Sequence, residues 1–143
     1  MSQDPHAAAS AATPHDHAVV WIDHQQARVF LFDAGQAEEL HLHPEHARHH
    51  IHHKANSIGS GHTPEDSAFY RDVFARLQGA HAVLVTGPAG AKYELVKCIE
   101  REAPQLRARI DAIQTLDHPT DGELLAYARK HFRASDRMRS QSR

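Results

Sequence analysis

The sequence predicts an α/β fold: a mixed five-stranded sheet with helices packed on it, in the order β-β-β-α-β-α-β-α. Three observations predict it. Short β-branched and aromatic runs follow one another before residue 44 with only tight connections between them. From residue 63 onward, runs of helical and strand-like character alternate. The 143 residues, 41% apolar and 24% charged, have the size and composition of one domain around one core. The same figures exclude a wholly disordered chain and a coiled-coil rod. No window approaches the roughly 18 apolar residues of a membrane-spanning helix.

Residues 1–17, MSQDPHAAASAATPHDH, hold Asp4, Pro5 and Pro14 among small residues. They have neither a basic start nor an apolar stretch, and read as a disordered tail rather than a signal peptide. The domain is expected over 18–133. Ala18–Ile22 is a short apolar run, read as a buried strand, and Asp23-His24-Gln25-Gln26 is polar and turns. Ala27–Phe32 is a second strand, and Asp33-Ala34-Gly35 a second turn. Glu38–His43 alternates, with Leu40 and Leu42 on one face. Together these predict an antiparallel meander. The segment Pro44–His62 is polar, rich in histidine and too long for a simple connection.

Thr63, Pro64, Glu65 and Asp66 carry the signals of a helix start, and Phe69, Val73 and Leu77 give that helix an inner face up to Gly79. His81–Thr86 reads as a strand. Gly87-Pro88-Ala89-Gly90 leads into a helix bearing Leu95, Val96 and Ile99, stopped near Ala103-Pro104. Arg109–Leu116 is the fifth strand. Thr120 and Glu123 form a capping box that opens a helix with Leu124, Leu125, Ala128 and Phe132. Residues 134–143 are basic and polar and are expected to form a flexible C-terminal tail. The expected core is Trp21, Phe30, Phe69, Val73, Leu84, Val85, Leu95, Ile99, Leu125 and Phe132. The element order is the ribonuclease-H-like one, an analogy of topology.

Histidine is the unusual feature of the composition. There are 15, against 16 lysines and arginines, with a net charge of −2 when they are neutral. A blanket polycation is excluded, and the charge depends strongly on pH. The one cysteine, Cys98, excludes a disulfide scaffold and favours a reducing compartment, taken as the cytoplasm. Mid-helix beside Val96 and Ile99, it reads as a plain buried residue rather than a nucleophile.

Eight histidines fall between His41 and His62. They match no zinc spacing such as His-Glu-x-x-His, and no acidic residue lies between His46 and His62. A solvated loop, a divalent-metal site and an RNA contact all remain open for this segment. RNA contact is the leading reading, through Arg48, His49, His50, His52, His53, Lys54, Ser57, Gly59, Ser60, Gly61 and His62.

The turn Gly87-Pro88-Ala89-Gly90-Ala91-Lys92 sits where a strand passes into a helix. Gly87, Gly90 and Lys92 are an anion-binding candidate there, against the alternative that the glycines only tighten a turn. The spacing is too short for a P-loop, and no Ser or Thr follows Lys92. A nuclease would need several converging carboxylates. Asp23 ends the first strand, but the fourth ends without an acid, and Asp121 is more simply a first-turn helix residue. No catalytic residue, metal ligand or cofactor is assigned.

Three stretches carry a family resemblance. Val83–Leu95, VLVTGPAGAKYEL, resembles the "apolar strand, Gly-Pro-Gly-x-x-Lys-x-x-hydrophobic" signature in the middle domain of class-1 archaeal and eukaryotic peptide-release factors and of Pelota. The predicted element order is also that domain's order. The long segment ending at Gly59-Ser60-Gly61-His62 sits where release factors carry Gly-Gly-Gln. With His52-His53-Lys54-Ala55-Asn56-Ser57-Ile58 before it and Asp117-His118-Pro119-Thr120-Asp121-Gly122 later, the chain is similar to small bacterial relatives grouped as translational machinery proteins.

The resemblance spans Ala18 to Phe132 and implies a ribosome- or tRNA-facing domain, the middle domain alone. Ser60 interrupts the glycines, His62 stands where the glutamine would be sought, and no glutamine lies between Gln36 and Gln78. Peptide release by the release-factor mechanism is therefore not implied. The expectation is a non-enzymatic translation-associated protein acting in stress, hibernation or rescue, with neither membrane nor DNA as partner. The alternatives are a peptidyl-tRNA or metal-assisted hydrolase with His62 as base, and a protein-binding scaffold.

Overall fold

Three strands are buried on both faces, and such strands belong in the middle of a sheet. The computed structural model describes residues 15–44 and 64–141 and places β1 (His15–Ile22) beside β4 (Ala80–Gly87), in parallel. Val19 pairs with Leu84 and Trp21 with Thr86. β2 (Ala27–Phe32) runs antiparallel to β1, and β3 (Ala37–Leu42) antiparallel to β2. β5 (Ile110–Thr115) runs parallel to β4 on the far side. The order β3-β2-β1-β4-β5 is the predicted mixed, ribonuclease-H-like sheet.

Strand alternation divides the core in two. One face carries Val20, Ile22, Val29, Leu31, Val83 and Val85. It is covered by α1 (Pro64–Ala75), α2 (Ala91–Glu102) and the single turn α3 (Pro104–Arg107) through Phe69, Val73, Leu95, Ile99 and Leu106. The other face carries Val19, Trp21, Phe30, Phe32 and Leu84 under Leu124, Ala128 and Phe132 of α4 (Asp121–Gln141). The expected core residues are all buried except Leu125, which is only partly so. Leu124 takes the inward position because the helical stripe runs 124, 128, 132. Among the described residues, no helix is long and apolar enough to cross a membrane.

The elements depart from the sequence reading in three places. β1 begins at His15, so it takes in the last three residues of the segment read as a tail. Its first residues are polar, and long-range partners hold them. The His15 N–H donates to the Gly79 carbonyl at 3.1 Å, and the Asp16 N–H to Asp33 Oδ1 at 2.7 Å. His15 Nδ1 lies 3.2 Å from Asp33 Oδ2.

At the other end, α4 continues to Gln141 through residues read as a flexible tail. Residues 134–141 contain neither Gly nor Pro, and the second half of the helix is tied to the sheet. Arg129 Nη1 donates to the Asp33 and Ala34 carbonyls at 2.8 and 3.2 Å, and His17 Nε2 lies 3.6 Å from Asp136 Oδ2. His131 Nε2 lies 2.7 Å from Asp111 Oδ2. Third, Pro104 does not only stop α2. It is the first residue of α3, where its missing N–H costs nothing.

Two predictions follow from this packing. Phe132→Ala removes the deepest ring of α4, which stacks on His17 at 4.3 Å, and should lower stability by about 3–5 kcal/mol in urea unfolding. Asp33 is held below its ordinary carboxyl value of 3.8, first by the Asp16 N–H and also by His15. A depressed folded-state value means stabilisation that is present above the ordinary range and lost as pH falls through the depressed value. Asp33→Asn should therefore melt below wild type at pH 7. The two melting temperatures should converge as pH falls through the depressed Asp33 value.

Candidate functional site

The sheet register brings the chain's informative loops to one edge. Ile22 pairs with Ala27 and Ala27 with Leu42, while Gly87 pairs with Thr115. The carboxyl ends of β1, β3, β4 and β5 therefore lie in line. From that edge leave the Asp23 turn, the root of the histidine-rich segment at His43, the Gly87–Lys92 turn and the 116–120 connection into α4. In open α/β sheets this is the edge where ligands bind.

The Gly87–Lys92 turn is built tightly. A Cβ on Gly87 would lie 3.3 Å from the Ile22 carbonyl carbon and collide with its oxygen, so only glycine lets β4 pass β1 here. The Gly87 carbonyl accepts the Leu116 N–H at 3.0 Å, joining this turn to the 116–120 connection. Gly90 precedes α2, whose Tyr93 and Glu94 N–H groups donate to its carbonyl. Nothing crowds a Cβ at Gly90. Lys92 is 2% exposed. Its ammonium donates to the Ala89 carbonyl at 2.6 Å and stands 4.6 Å from the centre of the Tyr93 ring. The three candidate residues thus share one turn, with the lysine charge spent on the turn's own backbone.

Beside this turn, Trp21 organises a second group. The indole N–H donates to the carbonyls of Leu116 and Asp117, both at 3.1 Å. Arg28, opposite Trp21 in register, lays its guanidinium 4.6 Å over the indole. Arg28 Nη1 donates to the Pro119 carbonyl at 2.9 Å and to Asp121 Oδ1 at 2.8 Å. The capping box predicted at Thr120 is formed. The Thr120 N–H donates to Glu123 Oε1 at 2.8 Å and the Glu123 N–H to Thr120 Oγ1 at 3.1 Å. On β3, His41 Nε2 contacts Glu39 Oε2 and lies 3.9 Å from Asp121 Oδ2. Arg28 first, then the hydrogen bond with Glu39, holds the Asp121 carboxyl below its ordinary value.

This group was not visible in the sequence. Residues 39 and 41 sit on one face of a strand by alternation, but residue 121 reaches them only through the fold. The other candidates have structural roles. Asp23 Oδ1 accepts the Gln25 and Gln26 N–H groups and closes the β1–β2 turn. Cys98 is buried, and burial, followed by the nearby Glu102 charge, pushes its thiol up, away from the reactive thiolate. Arg48, His49, His50, His52, His53, Lys54, Ser57, Gly59, Ser60, Gly61 and His62 lie outside the described residues.

No protein-family model and no curated protein matches the sequence. Among solved structures, the chain is similar to Pelota from Archaeoglobus fulgidus, with 12% identity and a TM-score of 0.56 over 88% of this chain and 34% of that one. It is similar to Pelota from Thermoplasma acidophilum, with 14% identity and a TM-score of 0.51 over 89% of this chain and 38% of that one. S. cerevisiae Dom34, described as a translation termination-like factor involved in RNA quality control pathways and interacting with Hbs1, shares 10% identity and a TM-score of 0.53 over 78% of this chain and 31% of that one. The chain spans about a third of the length of these proteins, and the likeness is one of fold. It agrees with the resemblance to Pelota read from residues 83–95.

The two glycines of the turn should separate cleanly on substitution. Gly87→Ala forces β1 and β4 apart and should cost more than about 1 kcal/mol. Gly90→Ala, with open space and helical backbone angles, should stay within about 1 kcal/mol of wild type in the same denaturant series.

Proposed function

We propose that this protein is a non-enzymatic, translation-associated module that binds the ribosome or a tRNA. Residues 48–62 make the RNA contact, and the protein acts in stress, hibernation or rescue. The observation that carries the proposal is the fold shared with Pelota and Dom34, with the Gly-Pro-x-Gly-x-Lys string at the β4–α2 junction. The position of the segment's root supports it too. His43 leaves β3 at the edge that also bears the Gly87–Lys92 turn and the 116–120 connection. Histidine, arginine and lysine side chains stack on bases and pair with phosphates, and glycines allow close backbone approach. The Gly87–Lys92 turn is a second point of contact. A phosphate there would compete with the Ala89 carbonyl for the Lys92 ammonium.

The test is co-sedimentation with ribosomes at several salt concentrations and at pH 7.5 and 6, both about one unit or less from the ordinary histidine value of about 6.5. Phosphates favour protonated histidine, so binding should strengthen as pH falls through this window and weaken steeply as salt rises. Replacing His49, His50, His52 and His53 with Gln should remove most of the pH response. Equal binding by wild type and variant would exclude the segment as the contact surface. Absence of pelleting at low salt would favour a scaffold, and release of the amino acid from a peptidyl-tRNA mimic a hydrolase.

A further inference from the structure

Where β3 meets the start of α4, three metal-ligating groups converge. Glu39 and His41 project from the same face of β3, and Asp121 stands in the first turn of α4. One oxygen of each carboxylate and one imidazole nitrogen lie within 4.8 Å of one another. We propose that Glu39, His41 and Asp121 form a binding site for a divalent first-row transition cation, of the zinc or manganese class. One nitrogen and two hard oxygens suit such ions, and three protein ligands leave outward positions for water.

The arrangement behind the ligands supports this assignment. Asp121 is held from behind by Arg28, a 9% exposed arginine fixed by the Pro119 carbonyl and the Trp21 ring. Arg28 takes Asp121 Oδ1 and leaves Oδ2 toward His41. Partners that orient a ligand without touching the metal are a regular part of metal centres. The group differs from a patch of surface acids in having a nitrogen donor and one immobilised carboxylate. Two acidic side chains meet a single guanidinium here, so acidic groups outnumber the fixed cation at the point of convergence. That excess of oxygen ligands favours a dication.

The test uses Mn²⁺, which prefers oxygen-rich sites and binds histidine clusters weakly, on the full-length ¹⁵N-labelled protein. Amide signals of residues 39–41 and 121–122 should broaden first at substoichiometric Mn²⁺, and Zn²⁺ should reverse the broadening. Glu39→Gln and His41→Gln, both on an exposed edge strand, should each weaken binding at least about tenfold while the spectrum stays dispersed. Replacing His49, His50, His52 and His53 with Gln should leave the site intact. Broadening confined to the histidines of 46–62, or spread evenly over surface carboxylates, would overturn the proposal. So would affinity unchanged by both the Glu39 and His41 substitutions.

Discussion

An indole N–H taken out of water must find an acceptor, and Trp21 finds its own in the connection that follows β5. Much of the carboxyl edge depends on this bond. Trp21 is buried because β1 is central, and its N–H requires residues 116 and 117 to curl over the end of the sheet. Arg28 lies on the indole face because the antiparallel register puts it opposite Trp21. Its guanidinium then reaches Pro119 and Asp121, which sets where α4 begins. From that point α4 can cover the sheet face that the other described helices leave open.

Most of the fold was legible because its apolar patterns are local. β2 falls on the predicted residues, and β4 and β5 lie within one residue of theirs. What was not legible is what depends on distant partners. His15, Asp16 and His17 look like tail residues until Asp33 and Asp136 are brought to them. Just beyond Phe132, α4 shows no apolar stripe, and Asp136 faces His17 there. At the site, the glycines at 87 and 90 looked equivalent, yet only Gly87 faces a neighbouring backbone. In the sequence Lys92 reads as part of an anion-binding candidate, and no spacing rule reveals that its ammonium folds back onto Ala89. Glu39, His41 and Asp121 are too far apart in sequence to suggest a group.

The histidine excess also divides into different populations. At the amino edge, His15, His17 and His131 face Asp33, Asp136 and Asp111, and these pairs fasten β1 to the turn after β2, β1 to α4, and α4 to β5. At the carboxyl edge, His41 joins two carboxylates beside α4, and His43 opens the histidine-rich segment. A count of fifteen therefore mixes residues that fasten elements at the amino edge with residues placed at the carboxyl edge, and only topology separates them.

The parallel pairing of β1 with β4 has a consequence for how the chain is made. β1, β2 and β3 are joined by short turns and can pair as soon as they are synthesised. The other edge of β1 has no neighbour until β4 emerges after the whole histidine-rich segment and α1. Until then Val19, Val20, Trp21 and Ile22 lie along an open strand edge, the kind of surface on which separate chains pair with each other. The time between the synthesis of β1 and that of residues 80–87 is thus the interval in which self-association competes with folding.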